Sequence, residues 1–303
     1  MKHISFIKYF VIIGLGFLAL PIIASSNLVA YWDFDDINGW EALDSSGNEL
    51  HAYIGRALSG VEGKKDFSLL FDGINSYTSV NDDPLLDFGI DDSFSISAWI
   101  KMNNDIKDWR VIVGKANNNS LNGYMLRHSQ NGNLSMTVEE SDGSYQSDSI
   151  ASQDYRDGKW HHVVGIIDRQ NKTNTIYVDG YKKDESNIDS LGSLVNDDNL
   201  NIGSLQQSGG ISFYGLIDEV MIYNKVLSLS EIHELYGEQV YVYPHGSLLQ
   251  PYNSYKVYYI NSKGEKDWII NEEVFNSFNN KWEDVIRVDS WVLEQYPTQV
   301  KYD

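Results

Sequence analysis

Short runs in which apolar and small polar residues alternate dominate the sequence between residues 27 and 237. The run Phe94–Ile100 is typical, and similar runs cover Gly123–Arg127, Leu134–Val138, His162–Ile167 and Thr175–Val178. Alternation places successive side chains on opposite faces of a strand, so each run predicts a β-strand with one buried face. Because many such runs follow one another without a helical period between them, the sequence predicts an antiparallel sandwich of two sheets.

Two local signals refine this prediction. Asp179-Gly180 follows an apolar run directly, and both residues tolerate the positive φ that a two-residue hairpin turn requires. Near the end of the region, Ser228 or Ser230 can cap a short helix that Gly237 closes.

Composition and charge exclude several classes of protein. Cysteine is absent, which excludes a disulfide scaffold, a thiolate metal site and a cysteine nucleophile. The formal net charge is −20, so duplex DNA and an anionic membrane surface would be repelled. We therefore expect no nucleic-acid partner.

The first 26 residues have the three-part pattern of a secretory signal. Lys2 and Lys8 are basic, Tyr9–Leu20 is apolar, and Ala24–Ser26 offers small residues for cleavage. The alternative, an uncleaved anchor, is disfavoured because the apolar run is shorter than the roughly 20 residues that span a bilayer. We expect a secreted or periplasmic protein, of bacterial origin, that is not inserted in a membrane after cleavage.

The last segment, residues 238–303, differs in composition from the sandwich region. Its tyrosines are dense, and Ser254–Ile260 is predicted to pair with Lys266–Ile270 across a glycine-containing turn. Asn271 can cap a short helix with Val274, Phe275, Phe278 and Trp282 on one side. A segment of this size is marginal alone, so we expect a small α+β or β-rich extension that packs on the sandwich.

Several segments, in order, resemble the laminin G-like jelly-roll branch of the concanavalin A-like lectin/glucanase superfamily. They are Leu28–Asp35 with Asp44–Asn48, Leu69–Gly73 with Tyr77, Phe94–Ile100, Asp157–Val163, and Gly215–Asn224 with the helix signal after it. The resemblance implies an all-β, two-sheet antiparallel jelly-roll sandwich over residues 27–237. It does not decide function, because the superfamily contains lectins, pentraxin-like binders, hydrolases and inert spacers.

The hydrolase alternative has a test in the sequence. Glucanases of this superfamily carry the strand pattern E-x-D-x-(x)-E, which places two carboxylates on one face for retaining chemistry. The most similar segment here, Glu139–Tyr145, lacks a third acidic residue and continues into a predicted turn at a glycine. We therefore predict no catalytic residues and no pair of carboxylates flanking a cleft on the concave face.

The resemblance also implies a structural calcium ion. In the glucanase relatives an Asp of the penultimate strand holds the ion, and the matching residue here is Asp218. Backbone carbonyls near Asp35 and Gly63 would complete the site, because calcium prefers carboxylate and carbonyl oxygens. In the alternative interpretation, Asp218 bonds to loop backbone and no ion is present.

A carbohydrate site without metal needs aromatic faces for stacking and polar groups for hydroxyls. Aromatic residues in or near loops and one amide are the candidates: Trp40, Trp109, Asn122, Tyr124, Tyr145, Tyr155 and Tyr214, of which Trp109, Asn122, Tyr124, Tyr145 and Tyr214 are the predicted ligand-binding set. We predict a secreted, non-catalytic module that binds a glycan or a surface glycoprotein and carries structural calcium. The alternatives are a structural or adhesion spacer without a glycan site, or a glycoside hydrolase.

Overall fold

A computed structural model describes residues 27–103, 108–116, 122–140, 145–205, 212–237, 243–277 and 281–298. The predicted signal segment, residues 1–26, lies outside these ranges.

The secondary structure is mostly β. The strands are β1 Leu28–Trp32, β2 Ile37–Asn38, β3 Glu41–Ala42, β4 Ala52–Gly55, β5 Leu58–Glu62, β6 Phe67–Asp72, β7 Tyr77–Val80, β8 Phe94–Met102, β9 Arg110–Ala116, β10 Gly123–His128, β11 Leu134–Glu139, β12 Gln146–Ala151, β13 Trp160–Asp168, β14 Thr173–Val178, β15 Tyr181–Asn187, β16 Leu200–Ile202, β17 Tyr214–Tyr223, β18 Leu248–Pro251, β19 Val257–Ile260, β20 Lys266–Ile269 and β21 Val285–Val288. The helices are α1 Leu229–Tyr236, α2 Glu272–Ser277 and α3 Ser290–Glu294, with 3-10 turns at Pro84–Leu86 and Trp282–Asp284. Within the described ranges, no helix has the length and apolar character that crossing a bilayer requires.

Two large antiparallel sheets form the sandwich that the alternating pattern predicts. One has eight strands in the described part of the chain, in the order β15-β14-β13-β8-β17-β6-β5, with β1 also paired to β17. The other has nine, in the order β12-β11-β10-β9-β16-β7-β4-β3-β2. The pairing of β1 with β17, from Leu28 opposite Tyr223 to Trp32 opposite Val220, closes the sandwich between its first and last strands.

The main core lies between the two sheets, where the inward-facing residues of the alternating runs meet. Phe88 and Phe94 stack with ring centroids 4.1 Å apart, and the fully buried ring of Tyr124 tilts against both. Trp32 is also fully buried, and its Nε1 donates a hydrogen bond of 2.8 Å to the Leu50 carbonyl. Each large apolar side chain buried in this way contributes about 1.5–3 kcal/mol.

Helix α1 covers part of the outer face of the eight-stranded sheet. Ser228 is its N-cap, Glu231 completes a capping box, and Gly237 ends it with φ 91°. Ile232 packs into a second, smaller apolar cluster that includes Tyr31 of β1. The predicted helix is therefore confirmed, and the predicted hairpin turn is confirmed by Asp179 and Gly180 with φ of 54° and 82°.

The C-terminal extension contains a four-stranded sheet in the order β20-β19-β18-β21. Strands β19 and β20 form the predicted antiparallel hairpin, and Asn271 Oδ1 caps α2 by accepting a bond of 2.9 Å from the Val274 N–H. Trp282 does not belong to that helix, contrary to the prediction: it lies in a 3-10 turn and stacks on Phe275 at 4.2 Å. Phe278 lies outside the described residues.

The extension contacts the sandwich through α1. Trp291 of α3 stacks on His233 of α1 with ring centroids 3.7 Å apart, and Ser230 donates a hydrogen bond of 3.0 Å to Gln295. His233 is fully buried. The expectation that the extension packs on the sandwich agrees with these contacts.

Candidate functional site

One face of the nine-stranded sheet points away from the main core, and we call it the polar face. Along β10 and β11, Leu126, Met136 and Val138 point into the core. Their neighbours in sequence lie on the opposite face. Register then groups the side chains of the polar face: Arg127 is opposite Ser135, Thr137 is opposite Asp148, and Glu139 is opposite Gln146.

An aromatic ring and a charged network stand together on this face. The guanidinium of Arg127 lies 4.3 Å from the centroid of the Trp109 ring, and Trp109 keeps 47% of its surface exposed. Asp148 Oδ1 accepts hydrogen bonds from Arg127 at 3.0 Å and from the Thr137 hydroxyl. Asp148 Oδ2 accepts a bond of 2.7 Å from Gln146. Arg127 and Asp148 are thereby fixed in place, and Trp109 offers the rest of its ring to solvent.

On this face, three buried polar atoms of β10 and β11 have no hydrogen-bond partner among the described residues. They are Arg127 Nε, Ser135 Oγ and Glu139 Oε2. Burial raises the pKa of Glu139, and the charge of Asp148 adds to this effect while Arg127 opposes it. A buried polar atom left unpaired costs about 1–3 kcal/mol, so a cluster of three on one face indicates a place where a polar ligand or water bonds to the protein.

The structure places the predicted ligand-binding residues on different surfaces. Trp109 lies on the polar face, and Asn122 immediately precedes β10 with its Oδ1 buried and unpaired among the described residues. Tyr124 was predicted wrongly as a ligand platform: it points into the main core, and its hydroxyl donates a bond of 2.9 Å to the Leu86 carbonyl. The physical reason is register, since Tyr124 alternates with Met125 and shares the inward face of β10 with Leu126.

Tyr145 and Tyr214 do not join Trp109 either. Tyr145 packs against the main core, and its hydroxyl donates to the Asn187 carbonyl at 2.8 Å. Tyr214 begins β17, which belongs to the other sheet. Of the remaining aromatic candidates, Trp40 is 68% exposed and Tyr155 is buried. The amide-rich segment before Asn122, residues 117–121, lies outside the described residues.

The sequence interpretation missed Arg127, Ser135 and Asp148. A signal for Arg127 and Ser135 exists: within β10 and β11 the residues that alternate with the core positions are polar at 127, 135, 137 and 139. An outward face of a strand is ordinarily polar, so the pattern alone does not separate a binding face from a solvated one.

The polar face also carries two acids, Glu139 and Asp148, on neighbouring strands. Both oxygens of Asp148 accept hydrogen bonds from Arg127, Thr137 and Gln146, an arrangement that holds the carboxylate rather than freeing it to attack a sugar. Glu140 follows β11, and its carboxylate accepts a hydrogen bond of 2.5 Å from the Gly192 N–H. The expectation that no carboxylate pair flanks a cleft stays a prediction.

The three residues predicted to bind calcium meet at one turn. Asp218 is fully buried, and its carboxylate accepts backbone bonds from Lys64 at 2.8 Å, from Lys65 at 3.1 Å and from Glu219 at 2.8 Å. Asp35 Oδ1 accepts from the Phe67 N–H at 2.8 Å. Burial raises the pKa of Asp218 to about 7, partly opposed by the bond from Lys65, and Glu219 raises it further.

The turn also brings oxygens together above Gly63. A Cβ built on Gly63 would lie 2.6 Å from Asp218 Oδ2, 2.6 Å from the Lys65 carbonyl and 2.7 Å from the Phe67 carbonyl. These separations show that three oxygens crowd the α-carbon of Gly63 and leave no room for a side chain there. The described residues contain no group of three or more His, Cys, Asp or Glu side chains that could hold a metal, so carbonyls would have to supply the other ligands. The Asp218 carboxylate and the carbonyls of Lys65 and Phe67 are oxygen donors of the kind that calcium prefers, and Gly63 contributes the absence of a side chain.

A two-sheet jelly roll with a polar, aromatic-bearing face defines a lectin-like β-sandwich protein. A family model described as the Concanavalin A-like lectin/glucanases superfamily matches residues 72–233, more than half of the chain. The chain belongs to this superfamily.

Two curated proteins are similar to this chain in sequence. The chain is 26% identical over 271 residues to botulinum neurotoxin type X of Clostridium botulinum, covering 86% of this chain and 20% of the neurotoxin. It is 24% identical over 228 residues to a non-toxic nonhemagglutinin of Paraclostridium bifermentans, covering 68% of this chain and 19% of that protein. The chain thus spans about a fifth of the length of these relatives.

Solved structures show the same fold at low identity. The binding domain of Paraclostridial Mosquitocidal Protein 1 superimposes with a TM-score of 0.58 at 20% identity, over 81% of this chain and 71% of that one. The ligand binding domain of botulinum neurotoxin serotype D in complex with N-acetylneuraminic acid gives 0.56 at 17% identity, over 73% and 53%. Domain 4 of AbnA, an extracellular arabinanase of Geobacillus stearothermophilus in complex with arabinotriose, gives 0.54 at 20% identity, over 69% and 98%.

Proposed function

We propose that this protein is a non-catalytic carbohydrate-binding module whose ligand binds on the polar face beside Trp109. One observation carries the proposal: Arg127 Nε, Ser135 Oγ and Glu139 Oε2 are buried without partners among the described residues, on the face where the Trp109 ring is exposed. A sugar offers hydroxyls to such groups and an apolar ring face to an aromatic side chain. The binding domains with arabinotriose and N-acetylneuraminic acid support a glycan as the ligand.

The ligand we infer is an uncharged glycan. Of the three unpaired atoms, Arg127 Nε donates, the Ser135 hydroxyl donates or accepts, and Glu139 Oε2 accepts when it is ionised. The guanidinium of Arg127 already bonds to Asp148 through Nη2. With a net charge of −20 on the whole chain, a sialylated or sulfated glycan would be repelled, whereas neutral sugar hydroxyls donate to carboxylates readily.

Two further parts of the proposal concern calcium and export. Asp218 and the carbonyls of Lys65 and Phe67 would hold a structural calcium ion that fixes the turn between β5 and β6. Residues 1–26, with their basic start and apolar run, support export from a bacterial cell.

Binding to an array of neutral and sialylated glycans, followed by calorimetry on the best ligand, tests the function. We expect neutral glycans to bind, and Trp109→Ala to lower the affinity more than tenfold, since the ring and the position of Arg127 are lost together. Tyr255→Ala is the matched control, because Tyr255 is 83% exposed and lies in the extension. Binding that Trp109→Ala leaves unchanged would place the ligand elsewhere.

Catalysis is tested on the same ligand. A retaining glycosidase needs an ionised nucleophile about 5 Å from a protonated acid, and here Asp148 is held by three donors. We therefore expect the protein to release no reducing sugar from the glycan that it binds. Release that disappears in Glu139→Gln would identify an enzyme instead.

A further inference from the structure

A fully buried lysine shares the inward face of the nine-stranded sheet. Lys115 is on β9, opposite Tyr124 of β10 and Leu200 of β16, which both belong to the main core. Cross-strand partners share a face, so the Lys115 side chain also points inward. Its ammonium group lies 2.8 Å from Asp82 Oδ1 and 2.8 Å from Asp87 Oδ1. The proposed function makes no use of this buried amine.

A buried amide faces the same ammonium group. Asn196 lies between β15 and β16, and Lys115 Nζ is 3.3 Å from its Oδ1 and also donates to its backbone carbonyl. Asn196 Oδ1 accepts a second bond of 3.0 Å from the Asp198 N–H, and its Nδ2 donates to the Leu194 carbonyl at 3.1 Å. Donors on a carbonyl oxygen stabilise the oxyanion that forms when a nucleophile attacks the carbon. The amide is thus fixed and polarised beside an amine.

A carboxylate contacts both of these residues. Asp87 Oδ1 accepts from Lys115 Nζ at 2.8 Å and from the Asn196 N–H at 3.5 Å. The Asp87 side chain is 20% exposed, against 37% for that of Asp82. A carboxylate within hydrogen-bond reach of a reacting amine can take its proton and return it to the leaving group. Asp87 is therefore placed for proton transfer.

We propose that Lys115 and Asn196 form an isopeptide bond in the folded protein, with Asp87 as the acid–base group. The ammonium group gives a proton to Asp87, and the neutral amine attacks Cγ of Asn196. A bond forms between Nζ and Cγ, and the bond from Cγ to Nδ2 breaks. Both protons that Nζ loses pass through Asp87 to the leaving nitrogen, which departs as an ammonium ion and leaves Asp87 ionised again.

The bond would cross-link a chain that has no cysteine. Lys115 and Asn196 are 81 positions apart in sequence. The bond would join β9 of the nine-stranded sheet to the segment that follows β15 of the eight-stranded sheet. A cross-link that closes a long loop restricts the unfolded chain and so favours the folded one.

Mass spectrometry of the purified, denatured wild-type protein tests the bond. We expect a mass below that calculated from its determined N-terminus by one ammonia, about 17 Da. Trypsin should not cleave after Lys115, because its amine is then an amide. Tandem spectra of the digest should contain a branched peptide that joins Lys115 to Asn196.

Variants assign the roles of the three residues. Lys115→Met, Asn196→Ala and Asp87→Asn should each have the calculated mass, and a wild-type circular dichroism spectrum of Asp87→Asn would show that the bond, not the fold, is lost. Asn199→Ala is the matched control: Asn199 Oδ1 accepts from the Asp82 N–H at 3.1 Å, and this variant should keep the loss of ammonia. A wild-type protein with the calculated mass would overturn the inference. A branched peptide that joins Lys115 to Asp82 or Asp87, with loss of water, would overturn it as well.

Discussion

Removal of calcium from the native protein tests the turn between β5 and β6. An ion that binds only the folded chain stabilises it by about 2.7 kcal/mol when its concentration is a hundred times the Kd. In a sandwich of roughly two hundred residues, each kcal/mol changes the Tm by about 2–4 °C. We therefore expect EGTA to lower the Tm by about 5–11 °C, measured by scanning calorimetry in calcium and in EGTA.

The variant Asp218→Ala separates the ion from the hydrogen bonds of the same carboxylate. It removes the acceptor of the Lys64, Lys65 and Glu219 N–H groups, which at about 1 kcal/mol each destabilises the protein by about 3 kcal/mol even in EGTA. It should also abolish the difference between calcium and EGTA.

The matched control is Asp36→Ala, because Asp36 is an exposed acid near Asp35. This variant should keep both the stability and the EGTA response of the wild type. A wild-type protein with the same Tm in both buffers would reject the ion and leave Asp218 as a residue that bonds the turn. An EGTA response retained by Asp218→Ala would move the ion to another part of the chain.

Three stability predictions follow from buried or strained positions. His162 is buried, and burial lowers its pKa to about 3. Its neutral form therefore stabilises the fold above pH 6.5, and about 3 kcal/mol of the free energy of unfolding is lost on acidification to pH 4. Urea denaturation of His162→Gln should show a flatter pH dependence than that of the wild type, and an equal slope would contradict this. Gly203→Ala should destabilise by about 3 kcal/mol, since its φ is +79° and the new Cβ would lie 2.2 Å from the Phe71 ring. Gly47→Ala, with φ +93° and nothing within 4 Å, is the control that loses only about 1 kcal/mol, and equal losses would refute the clash. Ser228→Ala should lower the free energy of unfolding by about 1 kcal/mol through loss of the N-cap, and an unchanged urea midpoint would argue against it.

The architecture was predictable because the signals that set it are local. Alternation in Phe94–Ile100 marks β8, Asp179-Gly180 marks a turn, and Ser228 with Gly237 marks the ends of α1. Each depends on residues that are neighbours in sequence, so no tertiary information is needed.

The candidate site was less predictable because it depends on which face of a strand a residue takes. The position of Tyr124 beside a loop suggested that it is a ligand platform. In the strand, however, its ring points into the core, whereas Arg127, three residues later, lies on the polar face. A shift of one residue exchanges the two faces of a strand, and sequence near a loop does not fix it. The family resemblance led to Gly63 and Asp218 as the expected calcium site, whereas the convergence of the Lys65 and Phe67 carbonyls is a property of the folded backbone.

The pairing of β1 with β17 determines how the sandwich is attached to the rest of a polypeptide. The Asn224 N–H donates to the Asn27 carbonyl at 3.0 Å, so the chain enters and leaves the sandwich one strand spacing apart, about 4.8 Å. Helix α1 and the C-terminal extension, which follow β17, are therefore attached at the edge of the sandwich where its chain begins.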